Sequence, residues 1–175
     1  MSQEFYQVED LLVQARGKEI NSIKDFIRPD DVVHLYLTHS STYDAWSLVK
    51  TEIKHYVDSS DYWQFPLETW HKKTGDCEDR SLLLASILRN WSENVYVVGG
   101  EFKGEGHAWI VVNNQIIDPS SRNYYVDSDE YKPFIYWNDR EIFVREGYEN
   151  KLVVTKFRHE FRGVYTRHIN SPEPI

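Results

Sequence analysis

The amino-acid sequence predicts an α+β domain in which helices pack against an antiparallel sheet. Apolar residues recur at helical spacing up to about residue 90, and from about residue 94 onward they alternate with polar residues. A group of helices followed by a group of strands is typical of this fold class. The chain of 175 residues contains no repeat and no linker. We therefore expect a single domain that spans residues 1–175.

Three helices are predicted ahead of the strands, each from its apolar spacing and its capping residues. An aromatic connector, Asp61–Thr74, separates the second helix from the third. The helices are expected at Val8–Arg16, ended by Gly17, at about Tyr43–Val57 after a cap by Ser40, Ser41 or Thr42, and from Gly75 and Asp76 to about Asn90.

The second half of the chain predicts strands, because apolar and polar residues alternate there. Asn113 and Asn114 fit a two-residue hairpin turn between two of these strands. Strands are expected at Asn94–Gly99, Gly106–Val112, Gln115–Asp118, Pro133–Trp137, Glu141–Val144, Leu152–Phe157 and Gly163–Arg167.

Charge and composition exclude several functions. The net charge is −8, the isoelectric point is about 5.3, and no cluster of Lys and Arg occurs. These features argue against nucleic acid and against an anionic membrane surface as partners. No apolar stretch approaches the roughly 20 residues that span a bilayer, and the acidic N-terminal sequence lacks the order of a signal peptide. A single cysteine excludes an internal disulfide. We expect a cytoplasmic protein, and the sequence does not predict its oligomeric state.

Cys77 is expected in the first turn of the third helix. Unpaired N–H groups and the partial positive charge at a helix start favour a thiolate and stabilise an oxyanion. Two observations favour a structural role instead. Cys77 shares one helix face with Ser81, Leu84 and Leu88, and its acidic neighbours oppose a thiolate. A catalytic role therefore requires an imidazole nearby.

Strand geometry predicts that His107 and Asp118 lie close together. In a hairpin that turns at Asn113–Asn114, Trp109 is opposite Asp118, and His107 shares a face with Trp109 because side chains alternate. Asp118 is then the diagonal neighbour of His107, with Cβ atoms up to about 7–8 Å apart, within reach of a carboxylate–imidazole hydrogen bond. A thiol, a base and an orienting acid are the minimum parts of nucleophilic cysteine catalysis.

Three segments around these residues resemble the signature segments of the transglutaminase-like superfamily, whose members have papain-like folds. A further segment, Tyr62–Thr69, resembles the one before the cysteine in bacterial transglutaminase-like cysteine proteinases and their archaeal relatives. The resemblance covers about residues 62–120. The three segments are Gly75-Asp76-Cys77-Glu78-Asp79, Gly106-His107-Ala108-Trp109 and Ile117-Asp118-Pro119-Ser120.

The resemblance implies a Cys-His-Asp triad. Cys77 would be the nucleophile and His107 the base that takes its proton and later protonates the leaving amine, while Asp118 would orient the imidazole. The backbone N–H of Cys77 is a natural oxyanion donor at a helix start.

A second oxyanion donor, and with it a contact to substrate, is expected from the indole of Trp70 or Trp63 or from the amide of Gln64. For both tryptophans, aromatic packing is the favoured role.

Metal binding has a weaker basis in the sequence. Some members of the superfamily bind calcium beside the cysteine, and Asp76, Glu78 and Asp79 are the candidate ligands here. Gly106, directly before His107, has no side-chain oxygen and so cannot supply a ligand. We favour a structural role for the three carboxylates, which complement the helix dipole and keep the helix entrance solvated. Zinc, with His71 as a further ligand, is disfavoured because no CxxC or HxxxH pair occurs. We predict no metal or cofactor, with calcium as the alternative.

The predicted function is cysteine-dependent acyl transfer on an amide of a protein or peptide through a thioester. Hydrolysis, and so peptidase activity, is favoured. Transglutaminase or deamidase activity on Gln and peptide-N-glycanase activity on glycosylated Asn are alternatives that the motifs do not separate. The alternative from another class is a non-catalytic protein- or peptide-binding module, with aromatic residues of Tyr62–Trp70 and Tyr124–Trp137 on its recognition surface.

Overall fold

Six of the thirteen described strands form one antiparallel sheet. The computed structural model describes residues 5–57 and 62–148, together with the backbone of residues 156–157, 159–160 and 163–166. In chain order the strands are β1 (Phe5–Val8), β2 (Asp10–Arg16), β3 (Glu19–Ser22), β4 (Lys54–His55), β5 (Thr74–Gly75), β6 (Val95–Phe102), β7 (Glu105–Val112), β8 (Gln115–Ile117), β9 (Tyr131–Trp137), β10 (Ile142–Arg145), β11 (Lys156–Phe157), β12 (His159–Glu160) and β13 (Gly163–Thr166). The main sheet has the order β1-β10-β9-β6-β7-β8, and each neighbouring pair is antiparallel.

The described part of the chain contains four α-helices. They are α1 (Val33–Tyr36), α2 (Thr42–Glu52), α3 (Pro66–Lys72) and α4 (Cys77–Leu88). Helix α4 is central: each residue from Glu78 to Leu88 is buried, because α4 lies against β6 and β7 and also contacts α2 and α3. The α+β class with helices on an antiparallel sheet is therefore confirmed. No helix within the described ranges has the length and apolarity needed to cross a membrane.

Two predicted helices begin where their capping residues indicate. Ser41 caps α2 by accepting a hydrogen bond from the Asp44 N–H, and Asp76 caps α4 by accepting one from the Asp79 N–H. Helix α2 ends at Glu52, short of the predicted Val57, because the following residues form β4, which pairs in parallel with β5.

The prediction of a helix at Val8–Arg16 is wrong. This segment lies in β1 and β2, and in β2 Leu11, Val13 and Ala15 are buried on alternate positions. Strand β2 pairs with β3, the next strand along the chain, and with the distant β13, and these pairings decide its conformation. The connector also contains a helix that was not predicted: α3 begins at Pro66, a residue favoured in the first helical turn.

The predicted strands of the second half are confirmed with small shifts where they fall on described residues. The β7–β8 turn is at Asn113–Asn114, as predicted, and both residues have positive φ, 48° and 65°, as a type I′ turn requires. Residues 152–155 and Arg167, which belong to the last two predicted strands, lie outside the described residues.

A partly buried ion pair joins β2 to α3. Arg16 donates from Nη1 to Glu68 Oε2 at 2.6 Å and from Nη2 to Glu68 Oε1 at 3.0 Å, and Nη1 also donates to the Trp63 carbonyl at 2.9 Å. Glu68 Oε2 accepts a further bond from the Phe65 N–H at 2.7 Å. The hydrogen bond from Arg16 is the main reason that the pKa of Glu68 is lowered.

Glu68→Gln is expected to lower the free energy of unfolding at neutral pH by about 1–2 kcal/mol, because it removes a charge-assisted contact. The native pKa of Glu68 is below its unfolded value, so its stabilisation is present above the unfolded pKa of about 4.3 and is lost as the pH falls through the native pKa. Urea unfolding at several pH values would test this, because the difference between parent and variant should shrink in acid. A difference that does not change with pH would contradict it.

Candidate active site

The β7–β8 hairpin sets the positions of His107 and Asp118. Val112 pairs with Gln115 and Ile110 with Ile117, so Asp118 follows the end of β8 at the position opposite Trp109. This is the predicted register. The diagonal contact also forms, because His107 Nε2 lies 2.8 Å from Asp118 Oδ2.

The carboxylate of Asp118 accepts hydrogen bonds from three groups. Besides His107, Oδ2 accepts from the Tyr131 hydroxyl at 2.9 Å, and Oδ1 accepts from the Ser120 N–H at 2.8 Å. The Trp46 indole donates to the Asp118 carbonyl at 2.9 Å and ties this residue to α2. Because a carboxylate only accepts, Nε2 of His107 carries the proton and Nδ1 is left as the basic nitrogen.

Aromatic rings enclose the imidazole of His107. Its centroid lies 5.6 Å from that of Phe102, 6.0 Å from that of Trp109 and 6.4 Å from that of Tyr131. The side chain of His107 is 15% exposed, whereas that of Asp118 is only 3% exposed. The imidazole is therefore held by packing and by one hydrogen bond, and it keeps an opening to solvent.

Tyr131→Phe is expected to slow the alkylation of Cys77 by iodoacetamide by roughly fivefold, the effect of about 1 kcal/mol of lost orientation at His107. The hydroxyl is a donor to Asp118, and burial, followed by the charge of Asp118, raises the pKa of Tyr131 well above its usual value. Intact-mass measurement of the labelling rate across a pH series would test this. Tyr136→Phe removes the same atom from the same strand and is expected to leave the rate unchanged; equal rates in all three proteins would contradict the prediction.

A cavity of about 430 Å³ brings Cys77 and His107 to one site. Cys77 is the first residue of α4 and is partly exposed there. Ser81, one turn further along, donates to the Ala108 carbonyl at 3.2 Å and so fixes α4 against β7. The other residues that line the cavity are His55, Val57, Asp76, Glu78, Arg80, Phe102, Glu105, Gly106 and Ser120.

The thiol of Cys77 is hydrogen-bonded to a carboxyl group. Its Sγ donates to Glu78 Oε2 at 2.8 Å. Burial, and then the charge of Glu78, raise the pKa of the Cys77 thiol well above its usual value. Burial, and then the charge of Asp76, raise the pKa of Glu78 as well. A raised pKa keeps the proton on the sulfur, so the resting nucleophile is a thiol.

The prediction of a solvated acidic helix entrance is wrong for two of its three residues. Glu78 is 6% exposed and Asp79 is 3% exposed. Burial, and then Asp76, raise the pKa of Asp79 to about 8. Asp76 does complement the start of α4, since it caps the helix. Within the residues that the structure describes, no three His, Cys, Asp or Glu side chains are grouped as a metal site. The expectation of no metal or cofactor, with calcium as the alternative, stays a prediction.

The structure does not bring Gln64, Trp63 or Trp70 to the cavity lining. Gln64 Nε2 donates to Asp79 Oδ2 at 2.9 Å and to the Thr74 carbonyl at 3.1 Å, which uses both of its amide protons. Trp63 is buried, and its ring stacks on Trp137 with centroids 6.2 Å apart. Trp70 packs against the core, with the Lys73 ammonium over its ring at 2.9 Å from the centroid. All three have structural contacts here.

Three residues at the site were not found from the sequence. Tyr131 comes from β9 and reaches Asp118 only because β9 pairs with β6, so no local spacing indicates it. Arg80 could have been noticed in the sequence, because it is a charged residue three positions after Cys77 in a helix whose following residues, Leu82–Leu88, are mostly apolar. His55 lines the cavity because β4 pairs with β5, directly before Asp76.

No protein-family model matches the chain, and no curated protein matches it in sequence. Among solved structures, the chain is similar to LapG of Legionella pneumophila. Calcium-bound LapG is 14% identical, with 67% of this chain and 88% of LapG covered and a TM-score of 0.47. A second LapG structure is 14% identical over 72% and 92% of the two chains, with a TM-score of 0.48. EGTA-treated LapG is 13% identical over 70% and 88%, also with a TM-score of 0.48. These values describe a distant likeness of fold.

Proposed function

We propose that the protein is a cysteine-dependent acyl-transfer enzyme of the transglutaminase-like kind, with Cys77, His107 and Asp118 as its triad. One observation carries the proposal: His107 is hydrogen-bonded to buried Asp118 at 2.8 Å and lines the same cavity as Cys77 at the start of α4. The parts have the roles that nucleophilic catalysis needs, since a base lies at the cavity of a thiol and is oriented by an acid.

The reaction begins with proton transfer from the Cys77 thiol to Nδ1 of His107. The sulfur then forms a bond to the amide carbon of the substrate, and the carbonyl oxygen becomes an oxyanion near the backbone N–H of Cys77. The carbon–nitrogen bond breaks as the imidazolium gives its proton to the leaving amine, which produces a thioester. Water attacks the thioester, its proton passes to His107, and the acid leaves while the thiol is restored.

Hydrolysis of a protein or peptide amide is the favoured reaction of this enzyme. Transfer to an amine, deamidation of Gln and removal of a glycan from Asn pass through the same thioester and differ in the substrate group or the acceptor. The binding-module alternative predicts that Cys77→Ser retains the cellular role. We place the enzyme in the cytoplasm with a protein or peptide substrate.

A product assay by mass tests the proposal. The protein is incubated with a mixed peptide digest, with and without an added primary amine, and Cys77→Ala is the matched control. A peptidase yields fragments whose summed mass exceeds the parent peptide by one water, a deamidase converts a Gln amide to an acid, and a transglutaminase attaches the amine. A mixture unchanged by the parent protein, or changed equally by Cys77→Ala, contradicts the proposal.

A further inference from the structure

One buried cation at the cavity has no matching anion. Arg80 is 6% exposed and lines the cavity that holds Cys77 and His107. Among the described residues, no carboxylate oxygen lies within ion-pair distance of its guanidinium, and its one hydrogen bond is a long one of 3.4 Å from Nη2 to the Lys50 carbonyl. The buried Nε has no partner. A guanidinium offers five donors, so most of this capacity is unused by the described chain.

An unpaired buried cation is costly to keep. A buried charge without a counter-charge loses hydration that the protein interior does not replace. Burial lowers the pKa of Arg80, although the charge of Asp118 offsets part of this effect. The side chain of Arg16 is also largely buried, but it has a bidentate carboxylate partner in Glu68. Arg80 lacks one in the described part of the chain.

A second unused polar group lies at the same cavity. The Oγ of Ser120 is buried and has no hydrogen-bond partner within the described ranges, and Ser120 lines the cavity with Arg80. Ser120 follows Asp118 by two residues, and its backbone N–H already donates to that carboxylate. A hydroxyl and a guanidinium are both donors, so the group that satisfies them together is an acceptor of hydrogen bonds with negative charge.

The carboxyl groups at the cavity are engaged elsewhere or lie at its edge. Asp76 caps α4, Glu78 accepts the thiol proton, and Glu105 is an exposed residue. None of them forms an ion pair with Arg80. A planar guanidinium binds a carboxylate through two parallel N–H···O bonds, and this geometry makes a carboxylate the best match for the site.

We propose that Arg80 and Ser120 form a subsite that binds a carboxylate of the substrate beside Cys77. This inference rests on the proposed function and narrows its substrates to those with a carboxylate near the amide that is attacked. The carboxylate has two sources in a peptide, an acidic side chain or the C-terminus, and both offer the same chemistry to the two donors.

Alkylation with a matched pair of reagents tests the subsite without knowledge of the substrate. Iodoacetate carries a carboxylate and iodoacetamide is its neutral counterpart, so the ratio of their rates at Cys77 measures attraction of an anion to the cavity. We expect the ratio in the native protein to exceed that of the urea-unfolded chain by roughly fivefold or more, as charge-assisted hydrogen bonds provide. Arg80→Gln should remove this excess, Arg80→Lys should keep part of it, and Ser120→Ala should reduce it.

Lys50→Gln is the matched control for a positive charge that lies outside the cavity. The Lys50 side chain is a cation near Arg80 that donates to the Ser121 carbonyl and does not line the cavity, so its loss should change the ratio little. A native ratio no higher than that of the unfolded chain contradicts the subsite. So does Arg80→Gln with both rates lowered equally, because Arg80 would then act on the thiolate. If Arg80→Gln does not fold, the subsite is tested by the iodoacetate-to-iodoacetamide rate ratio of the native protein and by the decrease of that ratio in Ser120→Ala.

Protection experiments distinguish the two sources of carboxylate. N-acetylglutamic acid α-amide and N-acetylglycylglycine present a side-chain and a C-terminal carboxylate, and N-acetylglutamine amide is the neutral control. Slower iodoacetamide labelling with either acid, lost in Arg80→Gln, supports the subsite and names its source. Equal protection by the neutral amide, or protection by neither acid, contradicts it. Failure of the proposed function is distinguished by a separate result: iodoacetamide would label Cys77 at the same rate in the parent and in His107→Ala.

Discussion

Glu78→Gln is expected to accelerate the alkylation of Cys77 by roughly tenfold or more wherever Glu78 is ionised, because it removes a buried negative charge that is hydrogen-bonded to the thiol. The carboxylate accepts the thiol proton at 2.8 Å and opposes a second negative charge on sulfur. An amide has no charge, so the pKa of Cys77 falls and the labelling curve moves to lower pH. The initial rate of iodoacetamide labelling, measured by intact mass from about pH 5 to pH 10, gives this curve.

Glu105→Gln is the matched control for this prediction, because it removes an exposed carboxylate that lines the same cavity. Its effect should be much smaller, since solvent screens a charge at the surface. A labelling curve that does not move in Glu78→Gln would contradict the prediction. An equal shift in Glu105→Gln would show that the cavity responds to net charge and not to the thiol–carboxyl contact.

Gly100→Ala is expected to lower the free energy of unfolding by about 3 kcal/mol or more, because no space exists for a methyl group. A Cβ at this position would overlap the Lys132 carbonyl and lie 2.7 Å from Cη2 of Trp109. Gly100 pairs with His107 across β6 and β7 and lies at an irregularity in the β6–β9 pairing. The forced shift therefore falls on the strand that carries His107, and the His107-dependent reactivity of Cys77 should fall with stability.

Chemical denaturation of the parent, Gly100→Ala and Gly104→Ala measures this effect. Gly104 has φ +82° and open space around its Cα, so its substitution should cost only the backbone strain of about 1–2 kcal/mol. A loss of stability in Gly100→Ala no larger than in Gly104→Ala would contradict the overlap.

The contact between His107 and Asp118 was predictable because it depends on local rules. Two asparagines that accept positive φ set the turn, and alternation along β7 and β8 then sets which side chains share a face. The capped starts of α2 and α4 were predictable for the same reason, since each depends on a few adjacent residues.

The parts that sequence reasoning missed depend on packing between distant segments. Strand β2 pairs with the distant β13 on one side, and Tyr131 reaches Asp118 through the pairing of β9 with β6. The acidic residues after Cys77 were expected in solvent, but Glu78 and Asp79 are buried by the elements around α4. Burial raises the pKa of both carboxyl groups, and the hydrogen bond to Glu78 helps to keep the Cys77 thiol protonated.

The dependence of Cys77 reactivity on His107 is the decisive test of the proposal that His107 is the base for a nucleophilic Cys77. Iodoacetamide labelling is followed by intact mass against pH in the parent and in His107→Ala, with His55→Ala as the control because His55 also lines the cavity. We predict that His107→Ala slows labelling near neutral pH by at least roughly tenfold, as loss of a general base does, and that His55→Ala keeps the rate of the parent. Equal labelling in the parent and His107→Ala would contradict the account, because Cys77 would then be a thiol without a base.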